Sequence, residues 1–381
     1  MEISVIIMYI VLFAYCLLMF FFLYGWNRID RVNVQKHTLP VAISIVVPVR
    51  NEQNNIINLL YSLKMQDYDT DYYEIIIVDD HSSDSTEQVV RKFKHQNLSL
   101  NIELITLKKH ESSKKTALMQ GIKHSGGDII VMTDADCRAG IKYLSTINEY
   151  FRKQQPRLII GPVKMKINKS IFSKIQALEF LSLIFTSGGS TKSTSALMAN
   201  GANLIVDRQV FTEISNKDIF FQKHASGDDM FLLNFVKKTY GKSAVHFLKH
   251  EDAVMETKTA NRVEDFVFQR KRWVSKSRSY TDPWLITTAL VVLMISFVQL
   301  ISLFWGIFAT NILVFAGVIW LIKVFVDFIV LSTATKFFNQ QKLLWWFFPA
   351  SIIYPFYVVF SALAGLFSGY SWKGRAYSKG Q

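Results

Sequence analysis

The sequence predicts an α/β protein, a mostly parallel sheet with helices on both faces, joined to membrane-spanning helices at its amino and carboxyl ends. Two observations predict this. Between residues 41 and 136, short apolar runs alternate with segments of helical periodicity, the pattern of a doubly covered parallel sheet. On either side of the middle of the chain lie charge-poor apolar stretches long enough to cross a bilayer. With 381 residues, of which 50% are hydrophobic, the chain can bury a full core and still spare such stretches.

Taken in order, Ile3 to Trp26 contains no charged side chain, enough helix to cross the roughly 30 Å of hydrocarbon. A cleaved signal would show a basic start and a small-residue cleavage site. Here Glu2 precedes the stretch and Arg28, Arg31 and Lys36 follow it, so residues 1–27 are expected to be an uncleaved anchor. The positive-inside rule then places the amino terminus outside and the following domain in the cytoplasm. "VAISIVVPV" (41–49) reads as a buried strand, followed by a helix carrying Ile56, Leu59, Leu60 and Leu63. "YYEIIIVDD" is a second strand, and "DSTEQVVRKF" a helix capped by Asp84 or Ser85. "IELITL", "KKTALMQGIKHS" and "DIIVMTDAD" continue as strand, helix and strand.

After Pro283 come three apolar stretches: 284–308, 310–335 and 343–369. The second holds Lys323 and Asp327, four apart and therefore on one helix face, expected to pair with each other or to serve an acceptor path. Three full crossings would leave the basic tail of Lys373, Arg375 and Lys379 outside, against the charge rule. The expectation is that one stretch is re-entrant or interfacial, and the last, broken by Pro349 and Pro355, is the best candidate.

The formal charge of +13 suits the anionic surface of a membrane. Nucleic acid is not expected as a partner, because no recognised binding module accompanies the charge. Cys16 and Cys137 are the only cysteines, which excludes a disulfide framework and a thiolate zinc site.

In parallel α/β sheets ligands gather beyond the carboxyl ends of the strands. There the sequence places Arg50, Asn51 and Glu52 after the first strand, Asp79 and Asp80 after the second, and Asp134 and Asp136 after the fourth. No glycine-rich phosphate loop follows any strand, which disfavours dinucleotide and P-loop sites. Two carboxylates so close repel unless a cation lies between them or one is protonated, and Mg²⁺ or Mn²⁺ is the natural cation. An isolated D-x-D is also the mark of a solvated turn, so its companions decide.

Those companions are "VPVRNE" (47–52), "VDDHSSDST" (78–86), "SSKKTALMQG" (112–121), "TDAD" (133–136), "NGANLIVDR" (200–208), "SGDDMFLL" (226–233) and "QRKRW" (269–273). In this order they resemble the signature set of family 2 glycosyltransferases of the GT-A fold, membrane-bound members included, over about residues 41 to 280.

The resemblance implies a nucleotide-sugar donor (UDP- or GDP-sugar). It implies a nucleotide site at Arg50, Glu52, Asp79, Asp80, Lys114 and Asp134, with Lys115 as the alternative lysine, and a metal held by Asp134 and Asp136. It further implies that Asp229 is the base for the acceptor hydroxyl beside Asp228, that Arg272 meets the diphosphate, and that Gln269 and Trp273 meet the acceptor. Apart from the resemblance, Asp79 and Asp80 read as caps, Asp228 and Asp229 as a helix amino terminus, and Arg270, Lys271, Lys276 and Arg278 as contacts to anionic lipid heads.

Residues 171–185 place Ile171, Ile175, Leu178, Leu181 and Phe185 on one helical face, with Lys174, Gln176, Glu179 and Ser182 elsewhere. Such a helix packs on the sheet or lies at the membrane surface beside the site. The expected organisation is an anchor (1–27), a cytosolic catalytic domain (41–260), an amphipathic interfacial helix (261–282), membrane segments (284–370) and a basic tail (371–381). The expected activity is inverting transfer of a sugar from a nucleotide diphosphate to a lipid or glycan acceptor. The alternatives are a processive polysaccharide synthase and a non-catalytic sugar-nucleotide-binding scaffold. Protein partners are not readable.

Overall fold

The computed structural model describes residues 2–30, 39–216, 228–275, 281–308, 310–367, 370–372 and 375–377. Arg31, Lys36, Ser226, Gly227, Lys276, Arg278, Lys373 and Lys379 lie outside the described residues. In chain order the first half runs α1 (Glu2–Asn27), β1 (Ile43–Val49), α2 (Ile56–Lys64), β2 (Tyr73–Asp79), α3 (Thr86–Gln96), β3 (Asn101–Thr106), α4 (Lys114–His124), β4 (Ile129–Met132), α5 (Tyr143–Gln154), β5 (Leu158–Ile160), β6 (Val163–Lys166) and α6 (Ile171–Ser193). The second half runs β7 (Leu204–Asp207), α7 (Arg208–Asn216), α8 (Asp228–Tyr240), β8 (Val245–Phe247), β9 (Met255–Lys258), α9 (Val263–Ser275), α10 (Pro283–Gly306), α11 (Thr310–Phe337), α12 (Phe347–Phe367) and a hairpin of β10 (Tyr370–Trp372) and β11 (Arg375–Tyr377). The chain divides into two compact units, a sheet unit (residues 29–166 and 198–258) and a helical unit (1–28, 167–197 and 259–380).

The sheet unit is built on seven strands in the order β3-β2-β1-β4-β7-β5-β8. The first four pair in parallel, with Ile45 opposite Ile75 and Val131 opposite Ile45, as their unbroken apolar runs require when both faces are covered. Ile45, Val46, Val47, Ile75, Ile76 and Ile77 are fully buried. Beyond β4 the direction reverses, since β7 runs antiparallel to both β4 and β5. The expected strands, helices and mostly parallel pairing are all present. Helix α3 is capped by Asp84, whose carboxylate accepts the Thr86 amide at 3.0 Å, while Ser85 occupies the cap position without a side-chain bond. Strands β6 and β9 form a separate parallel pair.

Among the described residues four helices of the helical unit are long and apolar enough to cross a membrane: Ile3–Asn27, Pro283–Gly306, Ile312–Phe337 and Gln341–Leu363. The last of these overlaps most of α12, which runs as one helix through Pro355. Helix α6 belongs to this unit and neighbours α1, α11 and α12. Its burial corrects the one-sided reading of its faces. Gln176 is fully buried along with Leu178 and Leu181, and Glu179 is held in an ion pair, whereas Ile171 is exposed.

The α1–α6 crossing is close enough to require glycine on both sides. A side-chain carbon on Gly25 would stand 2.0 Å from the Gly189 carbonyl oxygen, and one on Gly189 would stand 2.4 Å from that of Phe22. Trp26 stacks on Phe185 at the same crossing, with ring centroids 4.9 Å apart. Lys323 donates to Asp327 at 2.6 Å, the mutual pairing their spacing predicts, and the Tyr15 hydroxyl adds a second bond to that carboxylate at 2.5 Å.

Candidate active site

The carboxyl ends of β2, β1 and β4 are adjacent because those strands are hydrogen-bonded neighbours, so residues far apart in sequence meet on one rim. Two tight turns leave this rim, each with one residue in the left-handed region, Asn51 at φ 54° and His81 at φ 55°. Side chains tie the turns together. Arg50 Nη1 donates to the carbonyls of Asp80 at 2.6 Å and His81 at 3.2 Å. The Asn51 side-chain oxygen accepts the Ser83 amide at 2.8 Å, and Gln53 Oε1 accepts the Ser85 amide at 2.8 Å. The Glu52 amide donates to Thr86 Oγ1 at 2.8 Å.

Asp79 and Asp80 are both buried but do different things. Asp79 uses one oxygen for the Ser82 amide at 3.0 Å and the other for the Ser82 hydroxyl, which makes it the keeper of the turn. The Asp80 amide donates to the Val49 carbonyl at 2.9 Å, which fixes this residue beside the end of β1.

Beyond β4 the chain turns through Asp134-Ala135-Asp136. Lys114, at the start of α4, forms an ion pair with Asp134. Asp136 accepts from Thr257 Oγ1 of β9 at 3.2 Å. Loss of solvent, then the charges of Asp134 and Glu52, push the Asp136 carboxyl up to about 6. Burial, then Asp136 and Asp134, push the neighbouring Cys137 thiol well up, so this sulfur is held as the neutral thiol.

Asp228 and Asp229 open α8. A carbon added at Gly201 would lie 3.8 Å from Lys114 Nζ and 3.9 Å from Asp229 Oδ2, so one atom there touches both charged groups. Asp229 therefore stands across Gly201 from the Lys114–Asp134 pair. Asp228 is buried on the side of Lys115, whose pKa burial lowers while the Asp228 charge opposes the shift. The two lysines left open by the sequence thus divide the work, Lys114 to the D-x-D turn and Lys115 to Asp228.

The sheet unit brings together Arg50, Glu52, Asp79, Asp80, Lys114, Asp134, Asp136 and Asp229 around one rim. Gln269, Arg272 and Trp273 stand on α9 of the helical unit. Arg270 is corrected from a lipid-head contact to a buried side chain, 4% exposed and paired with Glu179. Sequence reasoning missed the structural asparagine Asn203. Its side chain accepts from Tyr143 at 2.8 Å and donates to the carbonyls of Pro162 at 2.8 Å and Ala253 at 3.0 Å, clamping the segment after Gly201.

The donor set at the D-x-D turn fits a hard divalent cation. Burial first, and then the charges of Asp134 and Glu52, disfavour the ionised Asp136 carboxyl, a cost that a bound cation would relieve. Among the described residues no group of three or more His, Cys, Asp or Glu side chains forms an all-protein cage. Two carboxylates suit an ion that completes its shell with phosphate oxygens and water.

Comparison with known proteins bears on this geometry. Residues 44–215 match the family model described as glycosyl transferase family 2. A dolichyl N-acetyl-α-D-glucosaminyl phosphate 3-β-D-2,3-diacetamido-2,3-dideoxy-β-D-glucuronosyltransferase of Methanococcus voltae is 30% identical over 153 residues, 39% of this chain and 46% of that protein. A poly-β-1,6-N-acetyl-D-glucosamine synthase of Staphylococcus aureus is 30% identical over 163 residues, 42% of this chain and 37% of that protein. The chain thus spans less than half the length of these relatives. A mannosyltransferase from Pyrobaculum calidifontis, solved in complex with GDP-Man and Mn²⁺, shares the fold over 96% of this chain and 99% of its own, with a TM-score of 0.60 and 16% identity.

Proposed function

We propose, from the match of residues 44–215 to the glycosyl transferase family 2 model, that the chain is a membrane-bound, inverting glycosyltransferase that moves a sugar from a nucleotide diphosphate to a lipid or lipid-linked acceptor. The observation that supports this reading is the pairing of Lys114 with Asp134 and the approach of Lys114 and Asp229 to each other across Gly201. Lys114 Nζ and Asp229 Oδ2 lie within reach of one small substituent at Gly201, and Lys114 carries the contact on to Asp134.

In this reading Asp80 accepts hydrogen bonds from the base or ribose, on a rim shaped by Asp79 and braced by Arg50 and Glu52. Lys114 faces the diphosphate. Asp134 and Asp136 would hold Mg²⁺ or Mn²⁺, which when bound supplies positive charge against the departing nucleoside diphosphate. Asp229 takes the proton of the acceptor hydroxyl as its oxygen bonds to the anomeric carbon and the bond to the diphosphate breaks. Arg272 offers its planar guanidinium to the diphosphate, and Gln269 and Trp273 meet the acceptor. The four apolar helices fit a lipid-borne acceptor, with the catalytic domain on the cytoplasmic side.

The test is transfer by the full chain in lipid vesicles, offered labelled UDP- and GDP-sugars with Mg²⁺ or Mn²⁺. Label is expected in the lipid-soluble fraction and is expected to vanish with chelator. The likeness to a polysaccharide synthase favours polymeric product as the second reading, and product length separates the two. Nucleotide binding with no transfer from any donor would leave the scaffold reading instead.

A further inference from the structure

We infer that Arg270, with Glu179 and Tyr357, is a positioning device for Gln269 and Trp273, the acceptor-facing residues of the QRKRW segment; this rests on the function proposed above. Arg270 is 4% exposed and touches both neighbours in the segment. Its Nη1 donates to Gln269 Oε1 at 2.8 Å, which turns the amide so that its NH₂ end is the donor left for other contacts. Its guanidinium carbon stands 4.1 Å from the centroid of the Trp273 ring, a cation–π stack that fixes the indole plane, and Phe180 of α6 approaches the same ring at 6.3 Å.

The guanidinium is itself held. Its Nε donates to Glu179 Oε1 at 3.1 Å and its Nη2 to Glu179 Oε2, a two-point fork onto α6. The Tyr357 hydroxyl of α12 accepts from the same Nε at 3.0 Å and donates to Glu179 Oε1 at 3.1 Å. On its far side the guanidinium packs over Phe266 at 4.4 Å. One planar group therefore ties α9 to α6 and α12 and sets the orientation of two acceptor-facing side chains one and three residues away. Lysine cannot replace it, because a single ammonium provides no fork and no plane.

The experiment compares wild type, Arg270→Lys, Tyr357→Phe and the exchange Arg270→Glu with Glu179→Arg, all as full chains in phosphatidylglycerol vesicles carrying diacylglycerol, ceramide or polyprenyl phosphate. Two readouts are taken. The first is the KM for acceptor lipid, by mole fraction, against the KM for the nucleotide sugar. The second is the ¹⁹F spectrum of protein labelled with 5-fluorotryptophan, with Trp273→Phe identifying the Trp273 line.

Arg270→Lys is expected to raise the acceptor KM about tenfold and leave the donor KM within about twofold, and to move the Trp273 line. Tyr357→Phe moves both in the same direction by less, and the exchange restores part of the loss. An unmoved Trp273 line with a wild-type acceptor KM overturns the inference, as does an equal rise in both KM values. If Arg270→Lys fails to fold, Tyr357→Phe decides by the same criteria. Absence of transfer by the wild type overturns the glycosyltransferase reading alone, and the ¹⁹F arm still decides whether Arg270 orients Trp273.

Discussion

The two units treat buried charge in opposite ways. In the helical unit charges come matched, Arg270 with Glu179 and Lys323 with Asp327, each pair reinforced by a tyrosine hydroxyl. On the rim of the sheet unit the charges of Glu52 and Asp134 act on Asp136 while Lys114 pairs with Asp134, and burial together with those charges pushes the Asp136 carboxyl up. Removing a charge from water is costly, so a scaffold that uses charges only for itself neutralises them in place. An excess of one sign, kept where solvent is partly excluded, marks a place that a ligand completes. The matched pairs read as scaffold and the crowded acids as chemistry.

The comparison can be broken most severely at Asp229. Asp229→Asn keeps the size of the side chain and removes its basicity, and is expected to lower kcat by about 10²- to 10⁴-fold, measured as label transfer with nucleotide binding retained. Asp136→Asn should cost about 10²- to 10³-fold in the same assay while leaving thermal stability equal or higher, because it relieves like-charge crowding. A clear loss of stability in that variant would place Asp136 with the scaffold.

Lys323→Met should do the reverse. It leaves the partly buried Asp327 charge with only the Tyr15 hydroxyl and is expected to cost up to about 3 kcal/mol, most of it recovered when Asp327→Leu is added, as read by thermal unfolding in detergent. Asn203→Ala takes the side-chain partner from the buried Tyr143 hydroxyl and the Ala253 carbonyl, while the Pro162 carbonyl keeps the Met255 amide, and should cost about 1–3 kcal/mol. Arg91→Ala, at an exposed pair with Glu87 one helical turn away, sets the floor at about 0.5 kcal/mol or less.

Much of this was legible in the sequence. The four parallel strands were, because a strand buried on both faces is a continuous apolar run and its neighbours repeat the pattern. So were the acids at the strand ends, since an abrupt change from Ile and Val to Asp is a local signal. The antiparallel direction of strand β7 is not legible, because four residues such as Leu204–Asp207 carry no mark of which way they pair. Helix α6 was misread as one-sided. Its lone acid in an apolar helix, Glu179, was the available signal, of the same kind that made Lys323 and Asp327 noticeable.

By itself the sequence determined which segments are strands, which helices are apolar enough to cross a membrane, and which residue types stand at the strand ends. These are periodic or compositional properties of a few consecutive residues, and local physics reads them directly. Tertiary structure alone decided that Lys114 meets Asp134, that Asp229 stands across Gly201 from them, and that Arg270 reaches Glu179 ninety-one positions away. Partner choice of this kind depends on how whole elements pack, and many partners are compatible with the same local pattern until the packing selects one.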